Sequence, residues 1–331
     1  MPIIGRKAWC YMKDKKDKKI HKTSIGGQAV IEGVMMKGPK EMAIAVRKPD
    51  GEIIIEKKPV SEKLRKSKIL KLPLIRGCVG FFDSMVTGVK SLMFSAQFFD
   101  IEGEEETESK FDKWLERKFG DKIKDIVIYV SVVLSLIFSI GLFFLLPNFI
   151  TELIAKISGM SVDGTVRTLI EGGVRMLIFL GYILLVSQMK DIKRVFMYHG
   201  AEHKTIAAYE HGMELTVENV RKGCRLHPRC GTSFLIFVMI VSVIVFLVIP
   251  KGLPWYMRAI FKILLLPFVA GISYEIIKFA GRHENWFTKI ISMPGMWLQY
   301  ITTREPDDSQ LEVAIASIKA VIPDNKEEDK W

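Results

Sequence analysis

Four long apolar stretches constrain this sequence more than any other feature. They occupy 126–146, 174–189, 233–249 and 259–280, and each approaches the length that an α-helix needs to cross a bilayer. With 49% hydrophobic residues and a mean hydropathy of +0.21, the chain is too apolar for an ordinary soluble domain. Because 26% of the residues are charged, charge and hydrophobicity are segregated along the chain. The sequence therefore predicts a mainly α-helical integral membrane protein with about four transmembrane helices.

Basic residues predict the orientation of these helices. The segment 190–232 is rich in lysine and arginine, whereas 147–173 carries only Lys156 and Arg167. By the positive-inside rule, both termini and 190–232 face the cytosol, and the membrane is the inner (plasma) membrane. The net charge of +11 is explained by the bilayer and its anionic lipid headgroups, so no nucleic-acid partner is expected. A cytosolic protein partner and oligomerisation are left open.

Turn and charge patterns divide the chain further. Pro-Asp-Gly at 49–51, between two β-forming runs, predicts a β-hairpin in a small α+β cytosolic domain. Ser309 and Glu312 have capping-box spacing and predict a C-terminal helix. The predicted order is a basic disordered leader (1–23), the β-containing domain (24–71), an amphipathic or re-entrant helical segment (72–101), an acidic linker and helix (102–125), a first helix pair (126–189), a cytosolic His/Cys loop (190–232), a second helix pair (233–280) and a C-terminal helix and tail (281–331).

Four of the six histidines fall between His199 and His227, where metal or acid–base chemistry is therefore expected. His199, Glu202 and His203 form the motif H-x-x-E-H. In a helix its two imidazoles lie one turn apart on one face and can share a metal ion. In the inverted zincin motif the glutamate is the general base, which makes Glu202 a catalytic candidate. Glu210, on the same helical face as His203, is the second.

His227 and Cys230 provide further ligands in the same predicted compartment. Because thiolate and imidazole donors favour Zn²⁺ over Mg²⁺ or Ca²⁺, the predicted site is tetrahedral zinc held by His199, His203, His227 and Cys230. The alternative is a junction of helices held by ordinary hydrogen bonds. Glu275 lies inside the last apolar run, where an acid is costly and functional by default. It is interpreted as a partner of Lys278, a further metal ligand, or part of a polar path.

Four motifs resemble those of the bacterial YqhQ family, whose membrane proteins are named for a domain of unknown function. They are GGQAVIEGVMM (26–36), HGAEHK (199–204), HPRCGT (227–232) and TTREP (302–306). The resemblance implies a predicted metal-dependent enzyme. The family pattern covers His199, Glu202, His203, Glu210, His227, Arg229 and Cys230, leaves out Cys224 and His211, and adds Gln28, Glu32 and Arg47 as residues that face the same site.

Three functions follow as hypotheses. The first is a membrane-associated metal-dependent hydrolase that acts on membrane-adjacent substrates. The second is a non-enzymatic scaffold whose basic cytosolic face docks a partner. The third is a small-solute transporter that uses Glu275. No Walker loop is present, which argues against nucleotide binding.

Overall fold

The computed structural model describes residues 20–60, 70, 72–99, 123–159, 164–250, 252–283 and 285–331. Most of the predicted basic leader and of the acidic linker therefore lie outside the described residues. The chain forms two compact units. Unit 1 contains the described residues of Met1–Phe98, Ile183–Val241 and Leu265–Trp331, and unit 2 those of Phe99–Tyr182 and Ser242–Leu264.

A four-stranded antiparallel sheet in the order β1-β2-β3-β4 opens unit 1. The predicted hairpin is confirmed as β3 and β4, in which Arg47 pairs with Ile53. Gly51 in its turn has φ +90°, a left-handed conformation that glycine adopts without strain. The strands are β1 (Gly26–Val30), β2 (Gly33–Lys37), β3 (Glu41–Arg47) and β4 (Ile53–Pro59).

The remaining described regular structure is helical, as the composition predicted. The helices are α1 (Ile75–Ala96), α2 (Ile123–Ile140), a π-helical turn (Gly141–Leu145), α3 (Leu146–Ser158), α4 (Gly164–Val186), α5 (Lys190–Glu210), α6 (Val217–Arg221), α7 (Gly231–Phe246), α8 (Trp255–Arg282), α9 (Trp286–Thr302) and α10 (Asp308–Lys319).

Three helical stretches are long and apolar enough to cross a membrane: Val133–Ser158, Gly164–Val186 and Tyr256–Arg282. The fourth predicted span corresponds to α7, which is apolar but has 16 residues. The first predicted span ends at 146, but the helical stretch continues to Ser158, because Pro147 lies in the first turn of α3, where proline is tolerated.

The main hydrophobic core of unit 1 lies between the sheet and the helices α5 and α10. Val34 and Met36 of β2 pack in it with Tyr198 of α5 and with Leu311 and Ile318 of α10, all at most 1% exposed. This packing explains why α5 is regular although its sequence is only weakly apolar. It fixes the helix that carries the H-x-x-E-H motif against the sheet.

Within the predicted amphipathic or re-entrant helical segment (72–101), the structure has one 22-residue helix, α1. The predicted His/Cys loop begins with a 21-residue helix, α5, whose buried face packs on the core. One local interpretation is wrong. The capping box of α10 consists of Asp307 and Gln310 rather than Ser309 and Glu312, because Asp307 is the residue with extended backbone that precedes the first turn.

Candidate metal site

Two imidazoles and a thiol converge in unit 1. His199 and His203 lie one turn apart on α5, with their ring centroids 4.5 Å apart in an edge-to-face arrangement. Cys230 lies just before the first residue of α7. One donor atom from each of the three residues lies within 4.8 Å of the other two, and all three residues are buried. The helical period thus produces the pairing that the sequence predicted, and the chain returns after α6 to supply the thiol.

The Nδ1 atoms of both imidazoles already form hydrogen bonds. Nδ1–H of His199 donates to the carbonyl of Thr302 (2.8 Å), and Nδ1–H of His203 donates to the carbonyl of Arg225 (2.5 Å). Because a carbonyl only accepts, Nδ1 carries a proton in both rings, and Nε2 is the atom of each ring that can act as a metal donor. Nε2 of His203 is buried and has no hydrogen-bond partner among the residues that the structure describes. Imidazoles oriented in this way are typical of metal ligands.

The cluster also favours a thiolate. Burial alone raises the pKa of a thiol, but the imidazoles of His203 and His199 lower the pKa of Cys230 well below its ordinary value. Burial opposes a charge on His199, yet the Cys230 thiolate, 3.3 Å from Nε2, raises the pKa of His199 to about 9. Thr232 contributes a backbone N–H to the sulfur at 3.4 Å. A thiolate is the form of cysteine that binds metal ions.

Glu202 borders the cluster from the same helix. Its Oε1 accepts the backbone N–H of Gly27 in β1 (3.1 Å), and its Oε2 lies 4.0 Å from Nε2 of His199. Oε2 is buried and has no hydrogen-bond partner in the described ranges, and burial raises the pKa of the carboxyl group. A Cβ on Gly27 would approach the carbonyl oxygen of Met35 to 2.6 Å and Glu202 Cγ to 3.0 Å. This glycine therefore permits the strand to contact the carboxylate.

His227 and Glu210 form a neighbouring polar group. The ring of His227 lies 5.7 Å from that of His203, but its Nε2 is 3.6 Å from Oε2 of Glu210. Arg229 donates to Oε1 of Glu210, which also accepts the backbone N–H of Thr23 (2.9 Å). Burial opposes ionisation of Glu210, but its hydrogen bond to His227 and the charge of Arg229 lower its pKa. His227 is therefore placed beside the three donors and faces Glu210.

The other candidate residues make contacts away from the three donors. Glu32 pairs with Arg194 and accepts a hydrogen bond from the hydroxyl of Tyr198 (3.1 Å). The amide of Gln28 packs against the backbone of Gly88 in α1. Arg47 pairs with Glu312 (2.6 Å).

Glu275 has a partner that sequence spacing did not suggest. Its carboxylate accepts hydrogen bonds from Nε (2.6 Å) and Nη2 of Arg76 in α1. Lys278, the predicted partner at i+3, instead lies 5.7 Å from the ring centroid of Tyr274. The guanidinium satisfies both carboxylate oxygens, because its fork matches them in geometry.

Several residues that support the site could not be identified from the sequence. Thr302 and Arg225 contribute only backbone carbonyls, which carry no sequence signal. Gln299 clamps the backbone of His227, accepting its N–H and donating to its carbonyl, both at 2.8 Å. The TTREP motif was the one available signal, since Thr302 lies within it.

Comparison with known proteins places the chain in a family. A family model described as "Protein of unknown function (DUF1385)" matches residues 72–324. The chain is also 38% identical over 304 residues to "Uncharacterized protein YqhQ" of Bacillus subtilis (strain 168), covering 90% of this chain and 92% of that relative. The chain belongs to the YqhQ family. The resemblance inferred from the four motifs is thereby confirmed. No solved structure matches the chain.

Proposed function

We propose that this chain is a zinc-binding protein of the plasma membrane, with His199, His203 and Cys230 as the metal ligands on its cytosolic side. The observation that carries the proposal is the buried Nε2 of His203, which has no hydrogen-bond partner in the described part of the chain and belongs to a cluster with the Cys230 thiol and the His199 imidazole. A buried nitrogen without a partner costs about 1–3 kcal/mol unless something binds it.

The donor set suits zinc. Ligand atoms about 2.0–2.3 Å from a tetrahedral ion are separated from each other by about 3.3–3.8 Å. The three donor atoms lie within 4.8 Å of one another, so small side-chain rotations suffice. Two nitrogens and a thiolate sulfur select zinc over magnesium or calcium.

Within this proposal the chain is a metal-dependent hydrolase, and Glu202 is its general base. His199, His203 and Cys230 would hold the zinc ion, which would supply Lewis acidity to a bound water. Oε2 of Glu202 has no hydrogen-bond partner among the described residues and lies 4.0 Å from Nε2 of His199, which supports its role as the group that would accept a proton from this water. The hydrogen bond from Gly27 to Oε1 keeps the carboxylate oriented.

Metal analysis of the purified full-length chain tests the zinc site. Wild-type protein, prepared without metal-binding tags, is expected to contain about one zinc ion per chain by mass spectrometry. His203→Ala and Cys230→Ser are expected to lose it. His211→Ala is the matched control, because His211 caps the C-terminal end of the same helix and its ring bonds only to the carbonyl of Ala207 among described contacts (2.6 Å). Folded wild-type protein without metal, even after zinc addition, would contradict the proposal.

Cobalt substitution separates a catalytic from a purely structural site. An open fourth position should let added azide change the visible spectrum of the cobalt-loaded wild-type chain, since a small anion can bind there. Glu202→Gln should keep the cobalt and its sulfur charge-transfer band but alter the pH at which azide competes with water. A spectrum that no anion changes would leave the zinc site structural and remove the hydrolase.

A further inference from the structure

A second group of buried charges lies in unit 2, and the proposed metal site uses none of it. On α4, Arg167, Glu171 and Arg175 follow one another at intervals of four residues and share one helix face. Arg258 and Lys262 have the same spacing on α8. All five belong to helical stretches long and apolar enough to cross a membrane. Charged residues in such stretches are costly and mark functional sites by default.

Three members of this group are almost fully buried. Glu171 is 2% exposed, and Arg175 and Lys262 are each 5% exposed. Arg175 Nη2 lies 3.0 Å from Oε1 of Glu171, and Lys262 donates to the same oxygen. The ring of Phe246 lies 5.4 Å from the Arg175 guanidinium. One carboxylate thus holds two cations, which leaves an excess of positive charge inside the unit.

The backbone is adapted to this group. Nε–H of Arg175 donates to the carbonyl of Phe143 (3.0 Å), which lies inside the π-helical turn Gly141–Leu145. Nη1 donates to the hydroxyl of Ser242 (3.3 Å). A π-helical turn departs from the regular ladder of helix hydrogen bonds and occurs often at functional sites. Here it supplies an acceptor to a charged side chain between apolar helices.

A cavity of about 470 Å³ opens next to the other two members of the group, Arg167 and Arg258. Arg167, Arg258, Glu152 and Asn148 provide its polar wall, and Phe149 lies on its apolar side. Arg167 is engaged there, because it donates to Asn148 Oδ1 (3.1 Å) and pairs with Glu152. The side chain of Arg258 makes no hydrogen bond or ion pair to any residue that the structure describes, although it is half-buried.

We propose that this cavity binds the phosphate group of an anionic ligand, with Arg258 as its direct ligand and Arg167 as the second. Four cationic side chains here oppose two carboxylates, so the site attracts an anion with one or two charges. The arginine fork matches two phosphate oxygens at once. Phosphate from a lipid headgroup and inorganic phosphate share this chemistry. The exposed Phe149 and Leu145 provide an apolar surface that would accommodate the acyl chain of a lipid.

Binding to the full-length chain in detergent tests this site. Phosphatidylglycerol and, separately, inorganic phosphate are titrated, with native mass spectrometry and thermal unfolding as readouts. Arg258→Gln should weaken binding about tenfold or more, as expected for a charged hydrogen bond of about 1.5–3 kcal/mol. Lys156→Gln removes the same charge from an exposed position on α3 that does not line the cavity, and it should leave binding unchanged.

A variant that is expected to tighten binding distinguishes a specific loss of binding from a loss of folding. Glu152→Gln frees Arg167 from its ion pair and should tighten binding several-fold. If only phosphatidylglycerol follows this pattern, the phosphate belongs to a lipid; if inorganic phosphate also follows it, a free anion suffices. Equal behaviour of Arg258→Gln and Lys156→Gln with both probes, or phosphatidylcholine binding as tightly as phosphatidylglycerol, would overturn the proposal.

Discussion

The carboxylate of Glu210 shows how strongly one residue can determine stability in this fold. It is 1% exposed, it pairs with Arg229, and it accepts the N–H of Thr23. Glu210→Gln would leave the buried guanidinium without its counter-charge, which costs about 3–5 kcal/mol. We therefore expect a large drop in the free energy of unfolding, measured in detergent by denaturant titration.

The matched control is the exposed glutamate of an ion pair on α6. Glu218 bonds to Lys222 (2.9 Å) with both side chains in solvent. Glu218→Gln should unfold close to the wild-type midpoint, because solvent screens such pairs. If both variants unfolded at the same denaturant concentration, the structural importance assigned to Glu210 would be wrong.

Gly200 permits the contact that holds the first histidine. A Cβ at this position would lie 2.0 Å from the carbonyl oxygen of Arg304, and the backbone N–H of Arg304 donates to the carbonyl of Phe196 (2.8 Å). Gly200→Ala must therefore displace the segment that includes Thr302, whose carbonyl orients His199. We expect at least a tenfold loss of zinc affinity, as for other disrupted partners of metal ligands, measured by chelator competition.

A second glycine variant provides the comparison for Gly200→Ala. A Cβ on Gly26 would meet no atom of the described residues within 4 Å. Gly26→Ala should bind zinc as the wild-type chain does. Wild-type affinity in Gly200→Ala would show that the contact between α5 and the segment after α9 does not position the ligand.

Sequence spacing predicted residues that are close along the chain and failed for distant partners. His199 and His203 pair because the helical period is local. Lys278 was the nearest basic residue to Glu275 in sequence, but Arg76 of α1 reaches its carboxylate instead. Nothing in either local sequence encodes that contact, since it depends on how α1 and α8 pack in unit 1.

At the scale of the element, α1 buries small residues and exposes large apolar ones, which is the reverse of a helix in a soluble protein. Its buried residues are small, including Gly77, Gly88 and Ser91, whereas Phe82 and Val89 are each 55% exposed. Gly77 lies against the backbone of Gly271 in α8, with room for no side chain. Small residues at helix contacts and large apolar residues outside are typical of helices surrounded by lipid. The sequence predicted an amphipathic segment, but not which face would be buried.

This arrangement predicts that α1 contacts the bilayer. A photo-crosslinking residue, p-benzoylphenylalanine, placed at Phe82 in cells should become attached to lipid, as detected by mass spectrometry of the purified chain. The same residue at Lys319, exposed at the end of α10, should not. Capture of protein alone at Phe82 would assign the apolar face of α1 to a protein contact, and equal lipid labelling at both positions would contradict a specific contact of α1 with the bilayer.

At the scale of the whole molecule, the shared core of unit 1 limits how the chain can cross a bilayer. Tyr198 of α5, Val220 of α6 and Leu311 of α10 pack in one hydrophobic cluster with the sheet. A single core cannot be divided between two sides of a membrane. The number of crossings between α6 and α10 must therefore be even. If α8 crosses the membrane, as its length allows, a second helix between α6 and α10 crosses as well.

That second helix is expected to be α7. Its 16 residues are apolar throughout, and its length approaches the range of about 17–25 residues for a span. By contrast, α9 buries Thr288, Ser292 and Gln299 on one face, which suits a helix packed on protein. The four predicted crossings, with both termini in the cytosol, are then consistent with three long helices and one short one.

Epitope tags inserted singly after Gly159, after Gly252 and at the C-terminus test this topology in bacterial cells. Antibody should reach the first two tags on intact spheroplasts, because each follows an odd number of crossings, and the third only after permeabilisation. A tag after Gly252 that needs permeabilisation would mean that α7 does not cross. In that case α8 would carry α10 to the opposite side from α5, which their common core forbids, so α8 could not cross alone. Access to the C-terminal tag on intact spheroplasts would invert the predicted orientation while leaving the even count unchanged.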